Sequence, residues 1–467
     1  MCEEIKKCII WGAGNFGKKY YQKLTTCYNY IVIAYIDSNP LIQGTFINDI
    51  EVKPPDYIKN LSNEIDIIIC VEKYNEICTE LEQVYGFKEY FLMLGGFLFR
   101  NSQNKKMLSV HISVESFKKK RKEDFSILFV QFSACIRTHK FAYLMKKLGV
   151  DVSYLYMASD NLCNTEFLSV YTNIYIISSF SDMINFVDDS EFDVVHSSNE
   201  PDYLTALLLG TNKKIVHDTH DMLSVRDRLP IEALVMEFMA NTRSSGCLYP
   251  NEIYRNLAIE KFQLAKEKTF AIENLPLESM TPSKYLPKLS AKDGELHVVY
   301  EGGISDNVES SRFFEDIWRK ITNKGIHIHY YAHQSPDYCK RLSATSEYLH
   351  YEGNFSSVQL AEEMTKYDCG LVLFNLSGYG IENDKMASVL KLYEYLNAGL
   401  PIAVCDVSHF IKFVEKYEVG ALLDLDGDVL TQLVNISAIK INKSFLSDNK
   451  LTLDCYAESL LEFYKAL

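Results

Sequence analysis

The sequence contains no C-x-x-C pair, although twelve cysteines are scattered through its 467 residues. That absence argues against both a zinc site and a disulfide framework, and it fits a reducing compartment. No G-x-x-x-x-G-K-[ST] run occurs, which disfavours a P-loop kinase. No G-x-S-x-G run occurs either, so a hydrolase elbow is excluded. No apolar stretch reaches the roughly 18 residues needed to cross a bilayer, and no secretory leader is recognisable, so the expectation is cytoplasmic. A formal net charge of −14 speaks against nonspecific nucleic-acid binding by the whole molecule. What remains is ordinary for a globular protein, with 47% apolar and 24% charged residues. The chain is too long for one core, and two or three domains are expected.

The pattern of strands and helices divides the chain. Lys7 to Trp11 reads as a strand, and Gly12-Ala-Gly14-Asn15-Phe16-Gly17 follows it directly. An amphipathic helix and a second strand, Ile31 to Ile36, lead to Asp37. Glycines at these spacings permit a tight turn, close approach to a pyrophosphate and close helix packing, and Asp37 is placed to accept ribose hydroxyls. Nucleotide binding, including NAD, and a purely structural or docking role are both open for this unit. Residues 100–124 read as a linker whose basic run, Lys118 to Lys122, is a solvated stretch or a membrane-surface contact. From Phe125 the chain alternates strands and helices to its end, in two rhythms separated by a proline-punctuated stretch from Leu275 to Pro287. Each rhythm implies a parallel sheet covered on both faces.

Three constellations carry chemistry. Tyr300-Glu-Gly-Gly-Ile304 ends the first strand of the last rhythm, where Gly302 and Gly303 let backbone amides approach a diphosphate; a plain strand-to-helix turn is the alternative. Between the apolar strands Cys369–Phe374 and Ile402–Cys405 a helix places Lys391 and Glu394 on one face near its N-terminus. A cation and a carboxylate there suit a ligand with phosphate and sugar hydroxyls. Spacing alone allows an ordinary surface ion pair equally well. In the middle of the chain, His217-Asp-Thr-His220-Asp221 closes a strand, and Arg137 and His139 lie in a loop after another. Arg226 and Arg228 could pair with those carboxylates. Glu237 reads as a surface charge. Asp424-Leu-Asp-Gly-Asp428 reads as helix capping, and no metal site is expected.

The segment Lys391-Leu-Tyr-Glu-Tyr-Leu-Asn-Ala-Gly-Leu-Pro401 resembles the donor-nucleotide helix of retaining GT-B glycosyltransferases of the family 4 type, and the Gly302–Gly303 turn resembles the one that opens their donor domain. The resemblance implies an α/β chain: a Rossmann-like domain at 1–99, an acceptor-side lobe at 125–285, a donor lobe at 286–450 and a helix at 451–467 crossing back. It implies that Glu394 binds ribose and Lys391 faces the diphosphate, with Ser388 and Leu390 completing the donor set. His220 or Asp221 would face the transferred sugar, with Arg137 beside them. Many relatives carry a second Glu eight residues before Glu394, where this chain has Met386. The implied activity is metal-independent, retaining transfer of one sugar from a UDP-, GDP- or CDP-linked donor to a bacterial surface glycan, a lipid-linked acceptor or a glycoprotein, with no further cofactor. The inner membrane face is an alternative location, reached by peripheral association. Rival readings are a non-catalytic nucleotide-sugar scaffold and a bifunctional protein whose front domain binds NAD or modifies nucleotide sugars. Oligomeric state is not legible in the sequence.

Overall fold

The computed structural model describes residues 6–102 and 125–467, apart from 27, 29, 63–64, 72–73, 88, 95–96, 133–134, 158–168, 178, 199–201, 226–229, 333–335, 354 and 356. Residues 103–124 of the expected linker, with its basic run, therefore lie outside the described residues, as do Arg226 and Arg228.

Three separate sheets are present. The first has seven strands in the order Phe46–Ile47, Ile50–Lys53, Tyr30–Ile36, Lys6–Trp11, Ile65–Ile69, Glu89–Leu94, Phe97–Ser102. The pairings at its two edges, Phe46–Ile47 with Ile50–Lys53 and Glu89–Leu94 with Phe97–Ser102, are antiparallel. Ordered structure thus continues past residue 99, because Phe97–Ser102 turns back as an edge strand.

The middle sheet is parallel throughout, in the order Asn173–Ile177, Asp151–Met157, Ser126–Gln131, Val194–Ser198, Lys214–Asp218, Gly246–Tyr249, Thr269–Ala271. Every residue of Ser126–Gln131 and Val194–Ser198 is buried, as expected of strands covered on both faces. The last sheet is also parallel, in the order Leu349–Gly353, His327–Tyr331, His297–Glu301, Cys369–Val372, Ile402–Val404, Gly420–Leu422. In each of these two sheets the strand order reverses beside the first strand. Such switch points leave a crevice at the strands' carboxyl ends. Residues 135–140 and 302–304 therefore emerge at crevices, one from each lobe.

The closing segment crosses from the last lobe to the middle one. It is broken where a continuous helix was expected: a short helix, Phe445–Asp448, precedes a 3-10 turn, Leu453–Tyr456, and the helix Ala457–Ala466. Lys450, at φ 56°, takes the left-handed conformation that interrupts it. The final helix seats Phe463 against Phe270, and the Tyr464 hydroxyl lies 2.8 Å from His196 Nδ1. Gly246 is required beneath it, since a Cβ there would stand 2.7 Å from the Phe463 ring. Apolar packing runs unbroken from the last lobe through Leu275, Leu277 and this helix into the middle lobe.

Two expectations about the middle lobe are corrected. Glu237 is not a surface charge: it is 2% exposed, and both carboxylate oxygens accept from the Ser224 amide at 3.1 Å. Arg137 and His139 lie on the helix Ile136–Lys147 rather than in a loop, and His139 points into the core with Nδ1 2.6 Å from the Tyr171 hydroxyl. Asp428 does cap a helix, Val429–Ser437, accepting from the Thr431 amide.

Candidate functional site

The helix Leu390–Asn397 begins beside the carboxyl end of the central strands and is stopped by Gly399, whose φ of 75° suits glycine, and by Pro401. Its residues from Lys391 to Asn397 are all buried, so Lys391 and Glu394 do not form an exposed surface pair. No side chain caps its N-terminus, which leaves amide donors there for a ligand. The Lys391 ammonium is 6% exposed and has no hydrogen-bond partner among the described residues. It lies over the Tyr300 ring at 4.1 Å and near the Phe374 ring at 5.7 Å. It also lies 3.1 Å from where a Cβ on Gly302 would be, and Gly302 has φ 127°. A bare glycine, a buried unpaired cation and free helix amides converge on one point. That arrangement is costly when empty and suited to an anion.

A carboxyl pair lies alongside. Glu301, just before the glycines, hydrogen-bonds with Glu394; burial first, then the Glu394 charge, holds the Glu301 carboxyl well above the usual range. Lys391 and Lys140 act in the opposite sense on Glu301. Lys140 belongs to the middle lobe, on the helix Ile136–Lys147, so cations from both lobes face this pair. Its ammonium donates to the Leu275 carbonyl at 3.1 Å, and burial lowers its pKa against the pull of Glu394 and Glu301. Arg312 is held by Asp384 at 2.6 Å and lies over Phe374.

The opposite wall comes from the middle lobe. His220 Nε2 lies 3.3 Å from Asp218 Oδ2, and its Nδ1 lies 3.8 Å from Cys135 Sγ. Asp218 is fully buried, and Arg137 grips it through Nε and Nη2 at 3.1–3.2 Å. The remaining Arg137 nitrogen donates to the Ile272 carbonyl and to Asn274 Oδ1. Arg137 thus holds Asp218 and the interlobe strand in place. Asp221 accepts from Asn383 of the last lobe at 3.1 Å. Ser388 lies at the lobe junction, where its hydroxyl accepts from the Asn274 amide and its carbonyl from Asn274 Nδ2. Met386, in place of the second Glu, contributes its carbonyl to Asn251 Nδ2 at 2.7 Å. Beside the middle-lobe wall is a cavity of about 110 Å³ whose lining includes Cys135, Arg137, Lys140, His220, Asn274 and, from the last lobe, Leu390, but not Gly302, Lys391 or Glu394.

Sequence reading missed four members of this cleft: Glu301, Lys140, Asp218 and Cys135. Glu301 directly precedes the glycines, and Lys140 follows Arg137 by three residues on one helix face. Asp218 lies within the His217–Asp221 cluster, two residues before His220, whereas Cys135 carries no comparable local signal. Among the described residues, no group of three or more His, Cys, Asp or Glu side chains is placed to hold a metal ion.

Solved structures match this two-lobed arrangement over almost their whole length. A glycosyltransferase from Rickettsia africae ESF-5 superposes with a TM-score of 0.54 at 12% identity, covering 74% of this chain and 98% of its own. Anabaena HepE, solved with UDP and glucose, gives 0.57 at 13% identity, covering 73% and 100%. A putative UDP-N-acetylglucosamine 2-epimerase from Listeria monocytogenes gives 0.50 at 12% identity, covering 73% and 96%. The two C-terminal lobes have the GT-B fold. Residues 304–447 match the family described as glucosyltransferase 3-like, C-terminal domain, so the last lobe is a glycosyltransferase domain. Residues 4–92 match the family described as C2185-like, N-terminal. No curated protein sequence is significantly similar to the chain.

The first unit carries its own glycine turn. Gly12 has φ 116°, and a Cβ there would stand 2.6 Å from the Cys70 carbonyl oxygen. A Cβ on Gly17 would stand 1.9 Å from the Gly12 carbonyl oxygen, so only glycine lets the helix pack this closely. Gly14 has open space around it. Asn15 opens the helix Asn15–Thr26, and Phe16 is exposed. Asp37 accepts from the Ala13 amide at 2.9 Å and from the Asn39 amide, which ties the end of the second strand to the turn.

Proposed function

We propose that this protein transfers a sugar from a nucleoside diphosphate sugar, with UDP as the favoured carrier, to a hydroxyl on a glycan, a lipid-linked acceptor or a glycoprotein. One observation carries the reading: the buried Lys391 ammonium, without a hydrogen-bond partner among the described residues, over the Gly302 turn. The UDP complexes of HepE, which shares the fold, support the choice of base. In this mechanism the diphosphate lies over the Gly302 turn, against the Gly303 amide and the N-terminus of Leu390–Asn397, while the Gly302 amide stays bonded to the Tyr331 carbonyl and Lys391 offsets the charge that grows as the glycosidic bond breaks. Glu394 accepts from the ribose hydroxyls, and Leu390 and Ser388 flank it.

His220, oriented by Asp218, faces the transferred sugar from the opposite wall, and Asp221 steadies that wall through Asn383. The departing phosphate oxygen takes the acceptor proton, so transfer is retaining and needs no strong base. Closure of the lobes excludes water and suppresses donor hydrolysis. The acceptor belongs to a surface glycan assembled on the cytoplasmic side. The front unit binds a nucleotide at the Gly12–Gly17 turn.

Incubation with UDP-, GDP- and CDP-sugars and a mixed acceptor pool, with release of nucleoside diphosphate as readout, tests the proposal. Acceptor-dependent UDP release is expected. Release without any glycosylated product, or none from any donor, overturns it.

A further inference from the structure

Cys135 is assigned no role by the reading above, yet its surroundings are those of an activated nucleophile. Its sulfur lies 3.8 Å from His220 Nδ1, and the other ring nitrogen of His220 lies 3.3 Å from Asp218, which Arg137 locks in place. Nucleophile, imidazole and orienting carboxylate thus stand in series. The thiol is also the N-cap residue of the twelve-residue helix Ile136–Lys147, where the helix dipole favours negative charge. It opens on the cleft cavity together with Lys140, a second cation.

Burial opposes ionisation of this thiol, but the charge of His220 and its hydrogen bond outweigh burial and bring the pKa down. His220 is correspondingly held well above the ordinary imidazole range: burial works against its charge, and Cys135 and Asp218 overcome it. The thiols of Cys8, Cys70, Cys247, Cys369 and Cys405 are instead pushed up by burial.

We propose that Cys135 is a covalent modification site, an activated thiol that small oxidants of the peroxide class convert to a sulfenic acid, and that this modification closes the cleft to the nucleotide sugar. In that step the sulfur attacks one peroxide oxygen and the O–O bond breaks. Sulfur is oxidised by two electrons, and the other oxygen leaves as hydroxide, which takes the His220 proton to become water. A thiol reductant reverses the change. The chemistry of the thiol stands apart from the transferase reading; only the effect on the nucleotide site rests on it.

The test uses the full-length protein with limiting iodoacetamide at pH 6.5 and peptide mapping by mass spectrometry. Exposed Cys455 serves as the internal reference. Cys135 is expected to be alkylated at least about fivefold faster than Cys455, and His220→Gln to erase the difference. Equal rates for the two cysteines in the unmodified protein, which no folding defect can explain, overturn the proposal. After peroxide treatment a dimedone adduct is expected at Cys135, with UDP affinity at least about tenfold lower and restored by dithiothreitol. No adduct overturns the oxidation, and unchanged UDP affinity overturns the closure. If the untreated protein binds no UDP, the donor assignment fails, while the alkylation ratio still decides the cysteine.

Discussion

Replacing Lys391 by methionine separates function from stability. The ammonium is nearly buried and has no hydrogen-bond partner among the described residues, so in the free protein it bears a desolvation cost, offset by the Tyr300 ring at 4.1 Å and by attraction to the Glu301 carboxyl. In the complex it makes a charge-assisted contact to the diphosphate, and such contacts contribute about 1.5–3 kcal/mol. Methionine keeps the length and packing but removes the charge. Loss of about 2 kcal/mol from the transition state lowers kcat/KM roughly thirtyfold. The melting temperature of the free protein, by contrast, stays level or rises. Initial-rate measurements of UDP release, paired with thermal denaturation without nucleotide, give both numbers. A variant that melts well below the parent while retaining full activity would show that Lys391 is a structural residue, and the donor site would have to be sought elsewhere.

Glu394→Ala removes the ribose acceptor and is expected to cost about 2 kcal/mol in kcat/KM, read in the same assay. Gly302→Ala forces a side chain into φ 127° and towards Lys391; it should reduce UDP affinity by calorimetry and cost about 1–3 kcal/mol of stability in denaturant titration. His139, pushed down to about 4 by burial, is neutral in the folded core. Its unfolded form takes up a proton near pH 6.5, so its contribution is present above that pH and is lost as the pH falls towards 4. The shift corresponds to roughly 3 kcal/mol at most. Unfolding monitored by circular dichroism between pH 7 and 4 should show the decline, and a flat profile would refute it.

The parallel sheets were legible because strands such as Ser126–Gln131 and Cys369–Val372 are continuous apolar runs, a signal that survives without knowledge of neighbours. Short strands such as Gly246–Tyr249 and Gly420–Leu422 were not: each owes its conformation to a partner strand already in place. The proximity of Gly302 and Lys391 was readable because the glycines, Lys391 and Glu394 lie in two compact segments. The other wall was only half readable. His220 and its partner Asp218 share one motif, but Cys135 approaches from a different segment altogether. Glu237 was misjudged for the same reason, since a polar residue's burial depends on a distant partner, here Ser224.

Polar contacts that join the lobes include Asn274 to Ser388, Asn251 to Met386, Tyr254 to Asn383, and Asn383 to Asp221. One of them involves Ser388, beside the helix that carries Glu394. Under the proposed transfer the slow event in each cycle is the loosening of this latch, so weakening Asn251 or Tyr254 should quicken steady-state turnover while leaving the first catalytic burst unchanged.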